Sequence, residues 1–184
     1  MSRSAGPAPP QLARLEPHKR DPMSRLAIRS TDFTDTGSID DFLDLLDHYM
    51  RSPTGSGTAM SAELRQRLPE QLRQRPTVLS FIAYLDGQAA GLINCVEGFS
   101  TFAGKPLLNV HDIIVREDFR RRGIARALLA HAEQVARERG CCKLTLEVLE
   151  GNTGARQAYL DFGFRGYQLD PAMGQALFME KKLT

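Results

Sequence analysis

Two stretches of this 184-residue chain carry side chains spaced for chemistry. The first is VHDIIVREDFRRRGIA, residues 110–125. An apolar run ends in a short loop, and the loop leads into a helical pattern at Arg-Arg-Arg-Gly-Ile-Ala. A helix start leaves about four amide N–H groups unpaired and carries roughly half a positive charge. That combination binds phosphate. Gly123 has no Cβ, so the backbone there can approach a ligand closely. Ala125 keeps a second position small, and Arg120, Arg121 and Arg122 add charge at the rim. Three solvated arginines at a plain surface helix would read the same way. The pattern is neither a dinucleotide Gly-x-Gly-x-x-Gly nor a Walker loop.

The second stretch is LEVLEGNTGARQAYLDFGF, residues 146–164. A strand leads to Asn152, then to a helix on which Ala155, Tyr159 and Phe162 share a face. A tyrosine there serves either as a proton donor or as core. Upstream, His111 carries an imidazole, a side chain that can act as a base. In a regular strand Asn109 and His111 share one face and Asp112 takes the other; a bulge would change that.

The spacing Arg120-x-x-Gly123-x-Ala125 resembles the acetyl-CoA pyrophosphate signature of the GNAT superfamily of N-acetyltransferases. Asn152, Tyr159, Gly163 and Phe164 match that family's second motif, and the separation of the two blocks fits as well. The resemblance runs from about residue 79 to residue 183. Before residue 78 only the order of elements matches.

The resemblance implies a GNAT fold, acetyl-CoA as co-substrate, no metal, and direct attack by a primary amine in a ternary complex. It implies that backbone at Ile113, Ile114 and Val115 binds the pantetheine arm and polarises the thioester. It places the cofactor phosphates at Arg120, Arg121, Arg122, Gly123, Ile124 and Ala125, with Asn152 nearby, and makes Tyr159 the general acid. In the family's polyamine-acetylating pattern a Glu falls on His111 and an Asp on Asp112; in other relatives the Glu falls on Asn109. This chain has no Glu at either place, so His111, Asp112 and solvent all stand as candidates for the base. Glu97 and Phe99, on the preceding strand, are expected at the acceptor together with Asn109. With the acidic helix face of Asp40, Asp44 and Asp47 they hint at a cationic amine. An alternative is a CoA-binding sensor without turnover. A nucleic-acid domain using the arginines is a weaker third reading.

The elements that must position these residues follow from periodicity. Residues 25–30 read as a strand. Ile39, Phe42, Leu43, Leu46, Tyr49 and Met50 fall at helical spacing, with Ser38 as cap and Asp41 as its partner. A second, polar helix fits 61–74, interrupted by Pro69. Residues 78–85 and 88–99 form a hairpin over Asp86-Gly87. Strand 107–115, helix 123–139, strand 143–149 and helix 153–162 follow, then strands 164–169 and 176–183. The expectation is α/β: a mixed, mostly antiparallel sheet flanked by about four helices.

The composition agrees with a globular chain: 42% hydrophobic, 25% charged and a net charge of +2. Residues 1–22 carry four basic and two acidic side chains, so the remainder holds 20 of each and is neutral. Neutrality argues against nucleic acid, and no apolar run reaches the roughly 18 residues of a membrane span. Residues 1–22, with five prolines, are expected to be disordered, leaving 23–184 as one domain. Met23-Ser24-Arg25 repeats the Met1-Ser2-Arg3 opening, which makes Met23 a second candidate start. Cys95, Cys141 and Cys142 are expected as small buried residues in a reducing, cytoplasmic compartment. The resemblance is compatible with a homodimer.

Overall fold

The computed structural model describes residues 25–167, 170, 172, 174 and 176–183. The expectations for residues 1–22 and for Met23 lie outside them. The elements are β1 (Leu26–Ser30), α1 (Thr36–Arg51), α2 (Ala62–Arg73), β2 (Val78–Leu85), β3 (Gln88–Ser100), β4 (Lys105–Val115), α3 (Ile124–Glu138), β5 (Leu144–Leu146) and α4 (Thr153–Phe162). A 3-10 turn, Glu117–Phe119, links β4 to α3. One sheet runs in the order β1-β2-β3-β4-β5, antiparallel except for the β4–β5 pair. The expected α/β class with a mixed sheet is therefore the observed one.

Alternation splits the sheet into two apolar faces. Ile82, Leu92 and Ile114 pack with Phe42, Leu43 and Leu45 of α1, and Leu68 and Leu72 of α2 join them. Phe81, Ile93, Cys95, Leu108 and Val110 pack with Ile124, Leu128, Leu129, Ala132 and Ala136 of α3. That α3 spacing is a helical stripe, which is why the segment folds as a helix against the sheet. Tyr159 and Phe162 of α4 lean on the same cluster.

Several boundaries differ from expectation. Asp35, not Ser38, caps α1: its Oδ1 accepts from Ser38 N at 2.8 Å, while Ser38 Oγ accepts from Asp32 N at 2.8 Å. Pro69 lies inside an unbroken α2, because Leu68 and Leu72 anchor the helix through the lost hydrogen bond. Strand β4 starts at Lys105, two residues before the expected start at 107. Strand β5 spans three residues rather than seven. Residues 164–167 and 176–183 form no strand, and 168 and 169 lie outside the described residues. Leu177, Phe178, Met179 and Leu183 are exposed. An alternating pattern makes a strand only when a neighbouring strand pairs with it.

Of the cysteines, Cys95 is buried and its thiol is pushed up to about 12, chiefly by burial. Cys141 is half-buried, but Cys142 is exposed, against expectation. Among the described residues no helix is long and apolar enough to cross a membrane.

Candidate active site

One irregularity in β4 shapes the site. Asn94 pairs with Asp112, but the next residue on β3, Cys95, pairs with Val110. His111 is therefore an extra residue, a β-bulge. A bulge bends its strand and ends regular pairing. The parallel ladder to β5 stops at that point, with Val110 opposite Leu146 as its last pair. Beyond it, β4 has a neighbour on one side only. Alternate backbone N–H and C=O groups of residues 111–115 therefore face a gap. The two strands part here, and the bulge is the physical cause.

A cleft of about 800 Å³ opens at this gap. Ile113, Ile114 and Val115 line one wall, Ala125, Arg126 and Leu129 of α3 the second, and Asn152, Ala155 and Tyr159 of α4 the third. His48, Arg51 and the 52–54 loop after α1 close the fourth side.

Helix α3 enters the cleft with its N-terminus uncapped. Gly123 sits at the N-cap with φ 82° and no side-chain cap. The first intrahelical bond runs from Ala127 N to Gly123 O, which leaves the earlier amides unpaired. A Cβ added at Gly123 would meet nothing within 4 Å, so the glycine serves the left-handed turn and leaves open space before the amides. Ile124 offers only its backbone, since its side chain is buried in the core.

The three arginines part company. Arg120 lines the cleft, pairs with Glu117 at 3.4 Å and donates from Nε to the Val115 carbonyl at 3.4 Å. Arg122 instead lies over the Phe119 ring, 5.6 Å from its centroid. Arg121 is exposed, at φ 62°. Neither of these two lines the cleft. Arg126, the third residue of α3, does; its position in the helix's first turn could have revealed it.

Tyr159 is half-buried on α4, edge-on to Phe164 with ring centroids 5.9 Å apart. Burial holds its phenol above the ordinary pKa, and the nearby Tyr49 phenol adds to this. The group stays protonated at neutral pH, as a proton donor must. Asn152 caps α4, its Oδ1 accepting from Ala155 N at 3.3 Å.

On the α1 side, Asn94 Nδ2 donates to Asp112 Oδ2 at 3.0 Å. Burial raises the Tyr49 pKa and the Asp112 charge raises it further, and Tyr49 in turn acts on Tyr159, so this phenol is near enough to both to feel their charge. His111 is exposed on the bulge. Neither Tyr49 nor Asn94 was legible as a site residue, because each fits a helix or strand pattern as core.

Other expected acceptor residues lie elsewhere. Glu97 is held by Arg139 Nη1 at 2.8 Å, at the far end of α3. Phe99 is exposed near the β3–β4 tip, opposite Pro106. Asn109 Oδ1 accepts from Thr145 Oγ1 at 2.9 Å, a tie between β4 and β5. The acidic α1 face is largely used inside the protein: Asp44 pairs with Arg65, and Asp47 with Arg51 and with the Met60 amide.

Residues 42–164 match the Acetyltransferase (GNAT) family, and the chain belongs to that family. It is 33% identical over 93 residues to a thialysine N-epsilon-acetyltransferase of Caenorhabditis elegans, covering 49% of this chain and 58% of the relative. It is 39% identical over 95 residues to a streptothricin acetyltransferase of Streptomyces lavendulae, covering 52% and 48%. The chain thus spans about half the length of these relatives. The fold is that of the aminoglycoside N-acetyltransferase AAC(6')-Iy solved with CoA, with a TM-score of 0.69 at 20% identity over 87% of this chain and 97% of that one.

Proposed function

We propose that this chain is an acetyl-CoA-dependent N-acetyltransferase acting on a primary amine, with a small cationic amine favoured over a peptide. One observation carries the reading: an open β4 edge, an uncapped helix N-terminus and a protonated tyrosine converge on a single cleft.

The residues present suit acetyl-CoA. The bare α3 amides, with Arg120 and Arg126, match a pyrophosphate in charge and hydrogen-bond sense. The backbone groups of residues 113–115 that face the gap suit an amide-bearing pantetheine arm, and a backbone N–H near Ile113 or Ile114 would polarise the thioester carbonyl. His111, Asp112 or solvent takes the proton from the attacking amine. Tyr159 donates its hydroxyl proton to the departing sulfur and recovers one from solvent. The named relatives act on thialysine, streptothricin and aminoglycosides by their descriptions, which supports an amine-rich acceptor. Cytoplasmic residence and a homodimer belong to the same proposal; the free thiols of Cys95, Cys141 and Cys142 suit the former.

The test is thermal stability with acetyl-CoA, CoA and NADPH, beside an Arg120→Ala/Gly123→Ala variant, followed by thioester turnover with an amine panel. Acetyl-CoA at a hundredfold excess over Kd should stabilise the native state by about 2.7 kcal/mol. The gain should vanish in the double variant. A folded protein unmoved by millimolar acetyl-CoA would sink the reading. Binding without turnover of any amine would favour a sensor.

A further inference from the structure

A polar row crosses the sheet on its α1 face. Thr31 Oγ1 and Ser80 Oγ share a hydrogen bond of 2.8 Å, Ser80 stands opposite Asn94 in register, and Asn94 stands opposite Asp112. Ser80 is 6% exposed and Asn94 8%, in a face otherwise built from Ile82, Leu92 and Ile114. Asn94 Nδ2 is used on Asp112, but Asn94 Oδ1 is buried without a partner among the described residues. A leucine would fill the same space with no stranded carbonyl. Packing therefore gives no reason for Asn94.

The reason lies in what its amide holds. Asp112 follows the bulge at His111, which turns it to the same face as Asn94. One of its oxygens is fixed by Asn94; the other has no hydrogen-bond partner, and no cation pairs with the carboxylate, among the described residues. A half-buried carboxylate without a countercharge, beside the cleft, is a receptor for an ammonium group.

We infer that Asn94 is a positioning residue for acceptor recognition: it holds Asp112 so that its free oxygen receives the ammonium of a cationic acceptor. The inference rests on the acetyltransfer reading with His111 or solvent, rather than Asp112, as the base. Asn94 touches neither acceptor nor thioester; it acts only through Asp112.

The experiment is a double-mutant cycle on the full chain: wild type, Asn94→Leu, Asp112→Asn and the pair. Each is assayed for kcat and KM with 1,5-diaminopentane and 1-aminopentane, and for acetyl-CoA affinity by calorimetry. Wild type should prefer the diamine. Asn94→Leu should raise the diamine KM about tenfold, the scale of a hydrogen bond to a charged group. It should leave kcat and acetyl-CoA affinity near wild type, and it should add nothing in the Asp112→Asn background. Asn94→Ser, too short to reach Asp112, should repeat the KM effect and serves if the leucine variant does not fold. Additive effects, an unchanged diamine KM in a folded variant, or a wild type without diamine preference would each overturn the inference alone. A wild type inert toward every amine would remove the acetyltransfer reading and this inference with it.

Discussion

The Phe164 ring stands edge-on to Tyr159, centroids 5.9 Å apart, just past the glycine that ends α4. The Phe164 amide also donates back to the Tyr159 carbonyl at 2.9 Å, so one residue holds both the ring and the backbone of the candidate acid. Removing the hydroxyl should separate chemistry from packing. Tyr159→Phe is expected to cut kcat by about 10²–10⁴-fold while acetyl-CoA affinity and melting temperature stay near wild type. Phe164→Leu should lower stability by roughly 0.5–1.5 kcal/mol through the lost aromatic pair and reduce kcat as the Tyr159 ring loosens. Steady-state kinetics with calorimetric melts checks both, and a fully active Tyr159→Phe would dismiss the proton-donor role.

Two glycines guard α3 for different reasons. At Gly91 a Cβ would sit 2.8 Å from the Ile114 carbonyl and 3.1 Å from Ile124, jamming the helix against the sheet. Gly91→Ala should cost about 1–3 kcal/mol by overpacking. Gly123→Ala meets no atom, and its cost of about 1–2 kcal/mol comes from the left-handed backbone alone. Thermal melts should show both losses. Only Gly123→Ala should also shrink the stabilisation given by acetyl-CoA, because it disturbs the amides facing the cleft.

Glu97 offers a negative control drawn from geometry. Its carboxylate is committed to Arg139 and lines no part of the cleft. Glu97→Ala should leave kcat/KM within about twofold for any acceptor and cost at most ~1 kcal/mol, as a part-exposed ion pair does. A large change in acceptor KM would return Glu97 to the site.

Asp47 supplies a pH dependence. The Met60 amide, then Arg51, hold its carboxyl below the ordinary 3.8. A depressed folded pKa gives stability that is present above the unfolded value and lost as pH falls through the folded one. Asp47→Ala should therefore melt below wild type at neutral pH, and the gap should narrow as the pH drops below about 4. A gap that is constant with pH would mean the lost contacts are not electrostatic.

How far the sequence carried depended on range. The α3 stripe and the Arg120–Ala125 run are local patterns, and the structure realises both as a helix with an open N-terminus. Glu97 is expected at the acceptor but is held by Arg139, 42 residues away, and nothing local records that pairing. Arg121 and Arg122 share the charge of Arg120 but not its direction, which the turn at φ 62° decides. The bulge at His111 was legible only as an option, since one extra residue in β4 leaves no mark until β3 is laid beside it. Strand β5 and the expected strands at 164–169 and 176–183 looked alike in pattern; a partner across the ladder is what separates them.

The composition of the cleft also bears on the order in which the molecule assembles. One wall comes from residues 48–54 and the opposite wall from residues 152–161. Contacts this distant along the chain close late, because the loop between them must be ordered first. The α1–β2–β3 hairpin unit can collapse while the rest of the chain is still emerging, but the cleft exists only once α4 has arrived. Its opening free energy should accordingly sit below that of the sheet. In hydrogen exchange, the amides of α4 should lose protection first and gain the most when acetyl-CoA binds, while those of β2 and β3 report global unfolding.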